Sequence, residues 1–235
     1  MPETKGSEAI RLCVFDAYGT LFDVAAAARG AAAEPGAGTW AARWPSLSAH
    51  WRRKQLEYTW LRAVAGAHVD FWQVTQDALD WAMEAEGLDS QSLRQRLLDL
   101  YHELSAFPEV SQVLEGLKSQ GLQLAILSNG APAMLEAAAR SAGIASSLDA
   151  ILSVEDVGVF KPHPAVYQMV GARFGTRPSE VAFVSSNGWD ACAAAAFGFH
   201  AIWVNREAAP MDRLYGRPVH VLTDLAALPR LLGAS

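Results

Sequence analysis

"VFDAYGTLFD", residues 14–23, ends an apolar run on one carboxylate, Asp16, and continues it into a Gly19-Thr20 turn. The short, wholly apolar segment Leu12 to Phe15 predicts a buried strand. The long block downstream of this turn decides the fold. From about residue 46 to 105 the pattern is helical, with apolar side chains recurring at threes and fours: Trp51, Leu56, Trp60 and Val64, then Phe71, Val74, Ala78 and Trp81. A further helix is predicted from Ser90 to Leu104, with Ser90 as its N-cap. Six of the eight tryptophans lie between positions 40 and 81, so this block is expected to have its own aromatic packing. The intervening "VAAAARGAAAEPGAGTW" reads as a helix end and a flexible loop, broken by Pro35. Its Gly36-Ala37-Gly38 is not a dinucleotide loop, because no strand precedes it.

After Pro108 the rhythm changes. "LQLAILSN" (122–129), "DAILSV" (149–154), "VAFVSSN" (181–187), "HAIWVN" (200–205) and "VHVL" (219–222) predict short buried strands. Helical patterns at 109–120, 131–143, 163–174, 189–197 and 224–232 separate them. Strands alternating with helices imply right-handed crossovers and an α/β core, a parallel sheet covered on both faces. The first strand is severed from the rest by the helical block. The expected organisation is therefore a discontinuous core, residues 1–22 and 103–235, with an all-helical insert over 23–102.

Composition limits the partners. The chain has 235 residues and a formal charge of −6, and its pI is near 5.5, so no nucleic-acid footprint is expected. An anionic substrate must be held by a few placed cations. The N-terminal "MPETKGSEAI" lacks the pattern of a signal peptide, and no apolar run is long enough to span a bilayer. Cys13 and Cys192 sit far apart in apolar segments, which points to two buried thiols and a reducing cytoplasm.

Ligands of an open parallel sheet bind beyond the carboxyl ends of its strands. Polar residues that end apolar runs should therefore converge: Asp16, Ser128-Asn129, Ser185-Ser186-Asn187 with Asp190, and Lys161 in its Lys-Pro turn. Each has a plainer reading. An Asp after a strand often caps a turn, Lys161-Pro162 is an ordinary loop, and Ser128 and Asn129 can cap the next helix. Taken together at successive strand ends, they favour one site.

"FDAYGTLFD", "ILSN", "KPHPAVY" and "FVSSNGWD" resemble the four motifs of the haloacid dehalogenase superfamily. "WRRKQLEYTWLR", residues 51–62, is similar to its L-2-haloacid dehalogenase branch. The resemblance implies a Rossmann-like sheet with an inserted helical cap, and hydrolysis of short L-2-haloacids to D-2-hydroxy acids without cofactor or metal. It also implies roles. Asp16 would be the nucleophile, oriented by Thr20, with Lys161 as its cation. Arg52 and Asn129 would receive the halide, and Ser128 the substrate carboxylate. Ser185, Asn187 and Asp190 would place water and fix Lys161, with Tyr167 in support. Tyr18, Leu56, Phe71 and Trp189 would line an apolar pocket, with Ser186 among the substrate contacts. A homodimer through the helical insert is implied as well.

The superfamily's phosphatases are the rival. They carry a second acid two residues after the nucleophile and further carboxylates for magnesium. Here Tyr18 and Ser186 stand at those positions. A halide leaves without a proton, so dehalogenation tolerates both departures. A hydrolase of another activated 2-substituted acid, and a non-catalytic module, remain alternatives. Composition alone reads Arg52 as a solvated helix residue, and simple packing between cap and core is the plainer reading of Tyr18, Leu56, Phe71 and Trp189, Phe71 above all. Arg53 departs from the neutral amide more usual in the branch.

Overall fold

The computed structural model describes residues 9–233. Six parallel strands form one sheet in the order β3-β2-β1-β4-β5-β6. They are β1 (Leu12–Phe15), β2 (Gln123–Ser128), β3 (Ala150–Ser153), β4 (Val181–Ser185), β5 (His200–Val204) and β6 (His220–Leu222). β1 is central and wholly buried, which is why it reads as an uninterrupted apolar run. Chain order reverses beside it, β2 on one flank and β4 on the other. That reversal opens a crevice at the strands' carboxyl ends. Register sets the depth of the crevice. Phe15 pairs with both Ile126 and Val184, so Asp16 emerges level with Ser185, and its N–H donates to Val184 O at 2.9 Å.

Four helices lie between β1 and the next core helix: α1 (Ala26–Ala33), α2 (Trp44–Ala65), α3 (Phe71–Ala85) and α4 (Gln91–His102). α2 starts with Pro45 in its first turn and stops at Gly66, whose φ of 63° suits glycine. Asp70 caps α3 by accepting from Gln73 N, and Ser90 caps α4 by accepting from Leu93 N. The long insert is thus held by its own capping signals and an aromatic interior. Trp51, for example, is buried and donates from Nε1 to Thr75 O at 2.9 Å.

The alanine-rich stretch, read as a helix end and a flexible loop, holds a complete short helix. Ala26–Ala33 is a helix with Ala27, Ala28 and Ala31 buried, and it packs on α4. Alanine's high helix propensity outweighs the low complexity, and its lack of bulk permits the close approach. Only about residues 34–37 turn, before a 3-10 segment at Gly38–Arg43.

Downstream, α5 (Val110–Ser119), α6 (Pro132–Ser141), α7 (Pro164–Phe174), α8 (Gly188–Phe197) and α9 (Leu228–Gly233) complete the crossovers. β4 stops at Ser185, two residues short of the predicted strand, which releases Ser186 and Asn187 into the crevice. Cys13 and Cys192 are both free and buried, and burial pushes the Cys13 thiol up. No helix among the described residues is long and apolar enough to cross a membrane.

Candidate active site

Asp16 is buried at the tip of β1 and is held by donors from two other segments and from its own turn. Lys161 Nζ donates to Oδ1 at 3.2 Å, and Asn187 Nδ2 donates to Oδ2 at 2.9 Å. Thr20 Oγ1 lies 3.2 Å from Oδ2 and 3.1 Å from Ser186 Oγ, and its single proton can serve only one of them at a time. Ser186 N fixes that hydroxyl by donating to it at 2.8 Å. The turn is tight: a Cβ on Gly19, at φ 87°, would stand 3.0 Å from Ser186 Oγ.

Lys161 is the electrostatic centre. Its ammonium reaches Asp190 Oδ2 at 2.9 Å as well as Asp16, and both carboxylates are buried with it. Burial alone pushes a lysine down, but here the charges of Asp16 and Asp190 outweigh it and hold the ammonium above its ordinary value. Asp190 moves up, because desolvation exceeds the help it gets from Lys161 and from Tyr167. Tyr167 donates to Asp190 Oδ1 at 2.7 Å, and its own phenol is pushed well up by burial and by that carboxylate. The result is a fixed row, Tyr167–Asp190–Lys161–Asp16, that aims one carboxylate into the crevice.

Asn129 accepts from Lys161 N through Oδ1 at 2.9 Å. Ser128 Oγ accepts from Gly130 N, and Ser185 Oγ accepts from Asn187 N, each bracing its own loop. From the insert, Arg52 Nη2 donates to Tyr18 O and Asn187 Oδ1, both at 3.2 Å. Asp16, Tyr18, Arg52, Leu56, Phe71, Ser128, Asn129, Lys161, Asn187 and Trp189 enclose a cavity of about 20 Å³. That is room for roughly one water-sized group. Ser186 is seated behind Thr20, away from this lining. Arg53 turns out of the site, its guanidinium 5.3 Å from the Trp81 ring centre.

The structure adds groups that the sequence does not single out. Tyr101 stacks on Tyr18 at 5.6 Å and accepts from Gln55 at 3.0 Å, backing the cavity with a second layer. Glu155 Oε2 lies 2.9 Å from His68 Nε2 and latches insert to core. Nothing local marks these residues, since each sits at ordinary helical or loop spacing. The hydroxyl of Tyr18 and Nε1 of Trp189 are buried without a hydrogen-bond partner, and both residues line the cavity.

A divalent ion fits poorly. Magnesium takes several hard oxygen ligands, whereas Asp190 is held by Lys161 and Tyr167. No group of three or more His, Cys, Asp or Glu side chains gathers among the described residues. The residues do not suit the phosphatases' metal.

A strand tip bearing a buried carboxylate, a buried lysine paired with it and an inserted helical layer define a class. The chain belongs to the haloacid dehalogenase-like hydrolases, whose family model matches residues 10–198. Within that class its relatives are specific. It is 46% identical over 224 residues to (S)-2-haloacid dehalogenase 1 of Pseudomonas sp. strain CBS-3, covering 95% of this chain and 96% of that one. A solved dehalogenase superposes with a TM-score of 0.90 at 42% identity, over 96% and 98% of the two chains. L-2-haloacid dehalogenase of Xanthobacter autotrophicus with chloropropionic acid covalently bound superposes at 0.84 and 39% identity, over 95% and 98%.

Proposed function

We propose that the protein hydrolyses the carbon–halogen bond of short L-2-haloacids and releases D-2-hydroxy acids. The observation that carries this is Asp16, a buried carboxylate held by Lys161, Asn187 and Thr20, with Tyr18 and not an acid two residues on. The covalent chloropropionic acid in the Xanthobacter relative supports the same route.

An oxygen of Asp16 attacks C2 from the side opposite the halogen. The new C–O bond forms as the carbon–halogen bond breaks, and the halide leaves with the electron pair and needs no proton. Arg52 and Asn129 receive it, where a guanidinium gains most as charge develops. Ser128, with its loop amides, holds the substrate carboxylate. Tyr18, Leu56, Phe71 and Trp189 wall off water and select the C2 substituent. Water held by Asn187, whose loop Ser185 braces, then attacks the ester carbonyl of Asp16 while Asp190 fixes Lys161. The acyl–oxygen bond breaks, and one proton of the water goes to the leaving oxygen and the other to solvent. The hydroxy acid departs with an Asp16 oxygen, and Asp16 keeps one from water. Attack at C2 occurs once, so configuration inverts.

Residues 23–102 act in this scheme as a cap that parts from the core, 1–22 and 103–235, to admit substrate. The small closed cavity supports that motion. A homodimer through the cap is supported by Leu61 and Val64, apolar and exposed near the end of α2. The free, buried thiols suit a reducing cytoplasm.

The test is halide release from L- and D-2-chloropropionate with a chelator present. Release from the L form alone is expected. No release from either by folded protein would refute the reading. In heavy-oxygen water a single turnover should give unlabelled product, and label there would exclude the ester.

A further inference from the structure

Arg206, in the loop just beyond β5, is absent from the cavity lining, yet its guanidinium sits where three segments meet. Nη2 donates to Thr20 O at 3.0 Å and pairs with Glu109 Oε1 at 2.8 Å. The guanidinium carbon lies 3.7 Å from the centre of the Phe107 ring. These partners are not scattered. Thr20 belongs to the chain leaving the core for the helical insert, and Phe107 and Glu109 belong to the chain returning from it.

The two crossing chains are themselves paired. Asp23 N donates to Ser105 O and Phe107 N to Leu21 O, both at 2.9 Å, with Phe22 and Ala106 bridged between them. Arg206 is half-buried against both chains, and its Nε is buried without a partner. Glu109 favours its ionised form. Desolvation pushes it up, but its backbone bonds and Arg206 outweigh that and hold it below the usual carboxylate range. The clasp is therefore charged at neutral pH.

Thr20 transmits the effect. Its carbonyl is gripped by Arg206 while its hydroxyl, 3.2 Å from Asp16 Oδ2, orients the carboxylate. One residue thus connects the clasp to the attacking oxygen.

We infer that Arg206 is a positioning residue that fixes the base of the helical insert and, through Thr20, the aim of Asp16. A lysine cannot replace it: one ammonium cannot lie flat on Phe107 while bonding both Thr20 O and Glu109. The inference rests on Asp16 being the nucleophile. If the wild-type protein releases no halide, that reading fails and Arg206 is not the cause.

The experiment compares wild type, Arg206→Met, Arg206→Lys and Glu109→Gln, with kcat and KM for L-2-chloropropionate and the melting temperature of each. Misaiming a nucleophile by about an ångström can cost on the order of a hundredfold. Arg206→Met is expected to lose roughly thirty- to a hundredfold in kcat with KM within about threefold. Arg206→Lys, which keeps the charge, is expected to fall between, and it carries the test should Arg206→Met fail to fold. Glu109→Gln should lower the melting temperature yet hold kcat within about twofold, because the bond to Thr20 and the Phe107 stack survive. Two results would overturn the proposal. One is kcat within about twofold of wild type in both Arg206 variants, whatever their stability; the other is an equal loss of kcat in Glu109→Gln.

Discussion

The ammonium of Lys161 lies 3.2 Å from Asp16 Oδ1, with both charges of the pair out of bulk water. A second carboxylate, Asp190, holds the same ammonium at 2.9 Å. Two acids on one base make the site asymmetric. Asp190 is fully committed to Lys161 and Tyr167, and Asp16 keeps oxygen lone pairs facing the crevice.

That asymmetry gives a pH prediction. Lys161 is held above the ordinary lysine value, so its folded-state pKa exceeds the unfolded one. The stability it contributes is complete below the ordinary lysine pKa and is lost as pH rises through the folded value. The alkaline limb of kcat/KM should fall only above the ordinary lysine range. Asp190→Asn removes one of the charges that raise Lys161, and the limb should then move to lower pH. A limb that stays put or rises in the variant would contradict the assignment.

Deleting the two partners should have unequal costs. Asp16→Asn leaves Lys161 paired with Asp190, so the fold should melt near wild type while halide release falls by at least about a thousandfold. Lys161→Met leaves two buried carboxylates facing each other, and the loss of stability should be roughly 3–5 kcal/mol. Denaturant unfolding of both variants checks the order. Equal destabilisation would mean that the buried row is not organised around Lys161.

Arg52 is partly exposed and its two contacts are 3.2 Å long, so it contributes little to stability. Arg52→Ala should reduce kcat by about a hundred- to a thousandfold, the scale for losing one donor to developing charge. Its melting temperature should hardly move. A change confined to KM would make the residue a binder of the intact substrate and not a receiver of halide.

Gly130 is a steric prediction. A Cβ there would stand 2.7 Å from Tyr18 Cε2 and 2.8 Å from Leu135 Cδ2. Leu135 can yield, but Tyr18 is stacked between Phe71 and Tyr101 and cannot move freely. Gly130→Ala should therefore cost about 1–3 kcal/mol and raise KM by tilting the Tyr18 ring. An unchanged KM would remove Tyr18 from the substrate wall.

Much of the core and its site is legible in the amino-acid order because local physics wrote it. Buried parallel strands demand continuous apolar runs, crossover helices demand the period of 3.6, and strand tips bring their terminal polar residues together. Hence Asp16, Ser128, Ser185 and Asn187 fall at one end of a sheet on sequence grounds alone. The alanine-rich helix is not legible in that way, because alanine carries no hydrophobic period, so its partner α4, far along the chain, decided its burial. Tertiary structure alone decided how Lys161 is shared between two acids, that Arg53 turns toward Trp81, and that Arg206 spans the crossing chains. Those relations depend on distances between residues remote in sequence, and Coulomb forces and hydrogen bonds act over ångströms in space, not over positions in the chain.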